Sequence, residues 1–311
     1  MKEKTVQQIE NMKQNYTFGV EVEMNNITRR RASSIAAKFF GTRRYENTAH
    51  RDEYMTWTAY DADGRAWKFS RDVSIAGPDS ERCELITPIL EYKDIELLMG
   101  LLKVLKEAGA VSNPKVNAGV HVHIARKGGF TVREIKNLVN IMAAHETQIG
   151  RAIRIDEGRT HRYCRTVSPD FLSLMQARNP QTQEELEDCW YMGNHADYAR
   201  EHHYNESRYH MINLHSLFNG HGTVEMRLFQ FSEDNGIDCE EMKAFIQLCL
   251  GMCELANEVK FASARPQQRE NEKYSLRCWL LRLGFIGDEF KSARAILLRH
   301  IDGNSAWRRG K

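Results

Sequence analysis

The sequence predicts an α+β fold built on a mainly antiparallel sheet. Two observations lead there. Stretches of period-two alternation and stretches of helical periodicity follow one another irregularly, without the evenly spaced βα units of a parallel sheet. Several alternating stretches also carry one wholly apolar side and one polar side, the pattern of a sheet covered on its back and open on its front.

The first such strand is FGVEVEM (18–24), where Phe18, Val20, Val22 and Met24 share one face and Glu21 and Glu23 the other. Further strands are expected at WKFSRDVSI (67–75), CELITPI (83–89), GVHVHIA (119–125), HMINLHSLF (210–218) and TVEMRLFQF (223–231). DIELLMGLLKVLKEAG (94–109) repeats apolar residues at 95, 98, 102 and 105 and stops at Gly109, a natural C-terminal cap. A second helix opens at Thr131 and Glu134 in capping-box spacing and runs to about residue 150. A third, over 238–259, repeats the device with Asp238 and Glu241, and two shorter helices are expected over 275–283 and 288–300. The charged, aromatic stretch 150–205 should hold short helices and loops, and loops of this kind set substrate choice. With no Pro/Gly-rich linker and no repeat, residues 1–235 read as a catalytic sheet domain with helical insertions. Residues 236–311 read as C-terminal helices packed on the same domain.

Composition excludes several function classes. A hydrophobic content of 41%, a charged content of 28% and a net charge of +2 describe an ordinary globular chain with no polyanion-binding tail. The basic clusters Arg29–Arg31, Arg151–Arg165 and Arg308–Arg309 read as solvated surface, and the final SAWRRGK as a solvated tail that could also steer an anionic substrate. Seven cysteines, an odd number with no CxxC pair, suggest neither a disulfide framework nor a zinc knuckle. Cys249 and Cys253, one turn apart, read as core. The N-terminus has no apolar signal core and no window reaches about 18 apolar residues, so no membrane is implied and a reducing, cytoplasmic setting is expected.

The polar faces carry the chemistry. His121 and His123 alternate with Val120, Val122 and Ile124, while Glu225 and Arg227 alternate with Val224, Met226 and Leu228. Glu84 and the Asp72–Ser74 pair add to the set. This front is short of lysine and rich in metal-ligand types. Glutamates at i and i+2 stand about 7 Å apart, so each can hold a different cation of a closely spaced pair. Oxygen-rich cages with a single imidazole suit Mg²⁺ or Mn²⁺ better than Zn²⁺. An arginine two residues from a ligand adds a planar donor for phosphate. Two or three divalent ions with an arginine are equipment for phosphoryl transfer from ATP.

In order, FGVEVEM, DVSI…CELITPIL, AGVHVHI, RYHMINLHS and GTVEMRLFQ resemble the signature of the amidoligases of the glutamine synthetase and glutamate–cysteine ligase superfamily, over residues 18–231. The resemblance implies a glutamine synthetase-like catalytic domain, a curved antiparallel sheet with helices on its back face. It implies an ATP-dependent carboxylate–amine ligase that forms an amide through an acyl phosphate. By position, Glu21 and Glu23 resemble ligands of separate divalent ions, Glu84 a further ligand on the substrate side, and His121 and Glu225 ligands on the nucleotide side. His123 resembles a contact to the ATP phosphates and Arg227 the phosphate clamp. Arg208 and Asn213 fall where a substrate or phosphate contact belongs. Asp72 stands where glutamine synthetases carry Glu and lies farther from Glu84, which leaves a third ion open.

Competing structural roles are a bond within the sheet for His123, a surface cation for Arg208, and a turn or cap for Asp72. His202, His203 and His215 read as structural or exposed. No ammonium-site loop is recognisable, so synthesis of free glutamine is not expected. The substrates would be a small molecule, peptide or protein carrying a carboxylate, with an amine co-substrate; nucleic acid is not expected. Rival readings are a guanidino-type kinase on the same sheet, a zinc hydrolase using His121 and His123, and a non-catalytic nucleic-acid or protein-binding module.

Overall fold

The computed structural model describes residues 2–51, 53–234, 236–266 and 270–306. Arg308–Arg309 and most of SAWRRGK lie outside the described residues. In chain order, helix α1 (Lys2–Gln14) and strand β1 (Tyr16–Met24) are followed by helix α2 (Arg29–Phe39) and strands β2 (Tyr45–Asn47), β3 (Trp57–Tyr60), β4 (Ala66–Ser70) and β5 (Cys83–Ile86). Helix α3 (Ile95–Glu107) and strand β6 (Val120–Arg126) precede helices α4 (Val132–Ile153), α5 (Glu157–Arg162), α6 (Pro169–Arg178) and α7 (Gln183–Gly193). Strand β7 (Ile212–Asn213), helix α8 (His215–Phe218), strand β8 (Val224–Phe229) and helices α9 (Cys239–Glu258), α10 (Glu272–Arg282) and α11 (Lys291–Leu298) complete the described strands and α-helices, with short 3₁₀ turns between. The class is α+β, and each described register between named strands is antiparallel.

The chain forms two compact units. A sheet unit comprises Thr17–Val122 and Phe229–Lys243, and a helical unit comprises Met1–Tyr16, His123–Leu228 and Ala244–Lys311. In the sheet unit the strands lie in the order β2-β3-β4-β5-β1. The β1–β5 register pairs Val22 with Leu85, Glu23 with Glu84 and Met24 with Cys83. The side predicted to be apolar is buried: Val20, Val22, Met24, Phe69, Leu85, Val120 and Val122 all lose their solvent contact. Helix α2 packs on β3, β4 and α3. Its small residues Ala32, Ala36 and Ala37 are buried, which permits that close approach.

Helix α2 has a sequence signal that the period reading passed over. Thr28 caps it by accepting from the Arg31 N–H, and Arg29 is anchored rather than merely solvated, donating to the carbonyls of Asp79 and Arg82. Among the predicted helices, α3 ends before Gly109, whose φ of +100° is in the region that favours glycine. Helix α4 has the full Thr131–Glu134 capping box. At α9 the Asp238 side chain caps the first turn. Asp238 accepts from the Glu240 and Glu241 amides, and the Glu241 carboxylate accepts from Ser232 N–H.

Four strand predictions were too long, 223–231 shortening at both ends to β8 (Val224–Phe229). Residues 67–75 split because β4 ends at Ser70 and Asp72 then accepts from the Ser74 N–H, a local turn that competes with the ladder. Strand β5 ends at Ile86, before Pro88. The 210–218 stretch yields only the two-residue β7, because the Asn213 side chain accepts from the His215 N–H at the start of α8.

In the helical unit β7 pairs with β8, and Ile212, Val224, Met226 and Leu228 are buried. Helices α6 and α7 pack together, as do α10 with α11 and α4 with α11. Residues 150–205 hold α5–α7 and short connections, as expected. Cys249 and Cys253 are buried along α9, where loss of solvent pushes both thiols well above their usual range. No described helix is long and apolar enough to cross a membrane.

Candidate active site

Strand alternation delivers the acidic residues of the sheet unit to one place. Glu23 and Glu84 are directly opposite across the β1–β5 ladder, and Glu21 follows Glu23 on the same face. Two overlapping triads result. Glu21, Glu84 and His121 each offer a ligand atom within 4.8 Å of the others, and so do Glu23, Asp72 and Glu84. Glu84 is common to both.

The backbone and the imidazole hold these carboxylates in place. Glu23, only 5% exposed, accepts from the Gly119 N–H through Oε2 at 2.6 Å. His121 Nδ1 lies 2.8 Å from Glu21 Oε2, and Nε2 lies 3.9 Å from Glu23 Oε1. A neutral His121 that donates from Nδ1 to Glu21 keeps a lone pair on Nε2, the arrangement of an imidazole oriented to ligate a cation. Asp72 is both a turn residue and a member of the triad: one oxygen accepts from Ser74 N–H at 2.6 Å. Four carboxylates and one imidazole therefore converge. The donor set fits hard divalent cations such as Mg²⁺ or Mn²⁺.

The helical unit holds the remaining residues. Asn213 and Glu225 are opposite each other in the β7–β8 register, and Asn213 Nδ2 donates to Glu225 Oε2 at 2.6 Å. Arg227, one step along the same face, donates from Nη1 to the other oxygen, Oε1. Glu225 and Arg227 are 2% and 5% exposed, so this is a buried ion pair. Arg227 also donates from Nε to the Tyr163 carbonyl at 3.4 Å, and its guanidinium stands 5.9 Å from the Tyr209 ring centroid. His123 Nδ1 lies 3.1 Å from Thr223 Oγ1, which contacts Ser216 Oγ at 2.9 Å. Nε2 of His123 is 3.9 Å from Glu225 Oε1.

The candidates thus fall into two groups. Glu21, Glu23, Asp72, Glu84 and His121 come together in the sheet unit. His123, Asn213, Glu225 and Arg227 come together in the helical unit. Arg208 is more peripheral: it donates to the His203 carbonyl at 3.0 Å and lies over Tyr204 and Tyr209, at 5.4 and 5.9 Å. Asn213, expected near a substrate or phosphate, uses its amide to hold Glu225 and to accept from the His215 N–H.

Sequence reasoning missed the supports. Arg159 donates to the Arg227 carbonyl at 3.2 Å, and Tyr163 and Tyr209 wall the guanidinium. Tyr209 lies within the quoted RYHMINLHS motif, whereas Arg159 and Tyr163 sit in the stretch with no period to read. His210, in the same motif, is buried on the Thr166 carbonyl, and burial pulls its pKa down to about 4. His215 is likewise buried, bonded to the Tyr191 hydroxyl at 2.6 Å, and its pKa is lowered mainly by that burial.

Comparison with known proteins follows from this geometry. No curated protein matches the chain. Among solved structures, a bifunctional glutathione synthetase from Pasteurella multocida aligns with a TM-score of 0.49 at 12% identity. The alignment covers 96% of this chain and 49% of that one, so the chain spans about half the length of that protein. A family profile described as "Putative amidoligase enzyme" matches residues 14–253, a span that takes in both groups of site residues. The chain belongs to that amidoligase family.

Proposed function

We propose that the protein is an ATP-dependent carboxylate–amine ligase. A substrate carboxylate oxygen attacks the γ-phosphorus of ATP, releasing ADP and forming an acyl phosphate. An amine nitrogen then attacks the acyl carbon, phosphate leaves, and the amine gives up a proton as the amide forms. The observation that carries this reading is the pair of triads sharing Glu84, set opposite Glu23 on adjacent strands. Membership of an amidoligase family supports it.

Glu21, Glu23, Asp72, Glu84 and His121 would hold the divalent ions. Bound there, Mg²⁺ or Mn²⁺ supplies positive charge to the phosphate oxygens of ATP. The chain's own residues position and neutralise. Arg227 is fixed by Glu225, Tyr163 and Tyr209, so its donors need no reorganisation as charge builds on the transferred phosphoryl group. Asn213 is a positioning residue that keeps Glu225 turned towards Arg227. Thr223 orients the His123 ring, which serves as a phosphate contact. His121 and His123 are two residues apart on β6.

The test is a screen of carboxylic acids with ATP, Mg²⁺ and hydroxylamine, scored for hydroxamate. Hydroxylamine captures an acyl phosphate without the natural amine. A hydroxamate formed from one acid class, lost in Glu84→Gln, is the expected result. ADP release with no trappable product from any acid would favour the kinase reading instead.

A further inference from the structure

Away from the carboxylate triads, the helical unit contains a cavity of about 670 Å³, within the roughly 300–1,000 Å³ typical of small-molecule sites. Its lining includes the apolar residues Ile155, Met211 and Ile301 and the hydroxyl-bearing Thr147, Thr160 and Thr166. Glu146, from α4, also lines it. Its Oε2 accepts from the Val167 N–H at 2.8 Å, and among the described residues Oε1 has no hydrogen-bond partner.

Among the described residues no charged side chain compensates this carboxylate. Burial pushes its pKa up to about 7, and the Val167 amide opposes that rise. The other charged groups of the lining are engaged without it. Arg151 pairs with Glu272 at 3.0 Å. Arg154, the left-handed residue that ends α4, has interactions of its own and, with Arg299, disfavours charge on His300. Asp302 is exposed and adds a second acid rather than a base. None of these charges moves the Glu146 carboxyl.

A carboxyl held this way must keep its proton or gain a cation. A divalent ion is a poor match, because it gathers several oxygen ligands, and Glu146 belongs to no metal-ligating cluster among the described residues. The room and the apolar lining suit an organic cation instead. We infer that this cavity binds a primary alkylammonium ion, its head on the Glu146 carboxylate and its stem along Ile155, Met211 and Ile301. The Val167 N–H takes one lone pair of Oε2, which disfavours the two-oxygen grip that a guanidinium prefers and leaves a point donor the better match. Met211 ties the cavity to the ligase reading, for its carbonyl accepts from the Arg227 N–H at 2.9 Å. That the amine is also the ligase's nitrogen donor rests on that reading; that it binds does not.

The experiment is ligand-observed NMR titration of the full chain in Mg²⁺ without ATP, using butylamine and butanol, which share a stem and differ in charge. At pH 8 butylamine should bind about tenfold or more tightly than butanol, as one charge-assisted contact requires. Below about pH 7 its affinity should fall with each pH unit by a factor approaching about ten, because the proton competes with the ammonium for Glu146. In Glu146→Gln the preference and most of the pH slope should disappear. If that variant folds poorly, the two probes and the pH series on the unaltered protein decide alone. Equal binding of the two probes, a pH-independent preference, a preference that survives Glu146→Gln, or no binding of butylamine would overturn the inference. Butylamine binding with no hydroxamate from any acid would sink the ligase reading alone. Hydroxamate formation without the butylamine preference would sink this inference alone.

Discussion

Glu23 and Glu84 stand directly opposite each other on antiparallel strands, two like charges at a position where sheets usually place partners. Such a pair is unfavourable by itself and becomes favourable with a cation between the carboxylates. Glu84→Gln should therefore raise the melting temperature of the metal-free protein, by an amount corresponding to about 0.2–1 kcal/mol. The same change should abolish most of the stabilisation that Mg²⁺ gives the parent. Melts in EDTA and in Mg²⁺ would show it, and an undiminished Mg²⁺ response in the variant would remove Glu84 from the cage.

Val22 has no solvent exposure and pairs with buried Leu85. Val22→Ala should cost about 1–3 kcal/mol through lost burial and a small cavity. Val22→Asp places an unpaired charge in the same space and should leave no folded population in urea titrations. A folded, soluble Val22→Asp protein would mean that β1 can turn its glutamates inward.

Arg227→Lys keeps a positive charge beside Glu225 but gives up the planar fork that also reaches Tyr163 and lies by Tyr209. The expected result in the hydroxamate assay is a kcat lower by roughly 10²–10⁴, with a smaller change in the KM for ATP. A fall in melting temperature with turnover intact would instead assign the guanidinium to stability alone.

Glu146 gives a signed pH dependence. Burial raises its pKa from 4.5 to about 7. Below pH 4.5 the carboxyl is neutral in both states and carries no penalty. From pH 4.5 to about 7 the unfolded chain gives up the proton first, so stability falls across that window and then levels, by roughly 3 kcal/mol in all. Glu146→Gln removes this loss, so its advantage over the parent in urea unfolding should grow between pH 4.5 and 7 and stay constant above. His210, whose pKa is lowered from 6.5 to about 4, gives a slope of opposite sign in both proteins and cancels in the difference. Parallel curves for variant and parent would show that Glu146 is solvated.

The front of the sheet was legible because a strand's period of two sorts residues without reference to anything distant. Glu21, Glu23, His121, Glu225 and Arg227 could be assigned to polar faces from alternation alone. Caps were legible too, where one side chain and a neighbouring amide decide the matter, as at Thr131. What alternation could not supply is which strands become neighbours, so the opposition of Glu23 and Glu84 and of Asn213 and Glu225 had no signal. The 210–218 strand failed for a related reason: a single Asn side chain outweighed the β preference of the residues around it. Arg159, Tyr163 and Glu146 lie on helical or irregular segments, where chemistry follows from contacts far along the chain.

The backbone amides that hold Glu23 and Asp72 also set the denticity of any ion bound there. Gly119 N–H takes one lone pair of Oε2 of Glu23 and Ser74 N–H one of Oδ1 of Asp72, which disfavours two-oxygen chelation by either residue. Calcium fills its large coordination sphere readily with bidentate carboxylates, while magnesium takes single oxygens in a tight octahedron and keeps water in the remaining positions. Two peptide N–H groups thus act as a filter on ionic radius: Ca²⁺ should bind this cluster loosely, and the smaller ions with their retained waters should be admitted.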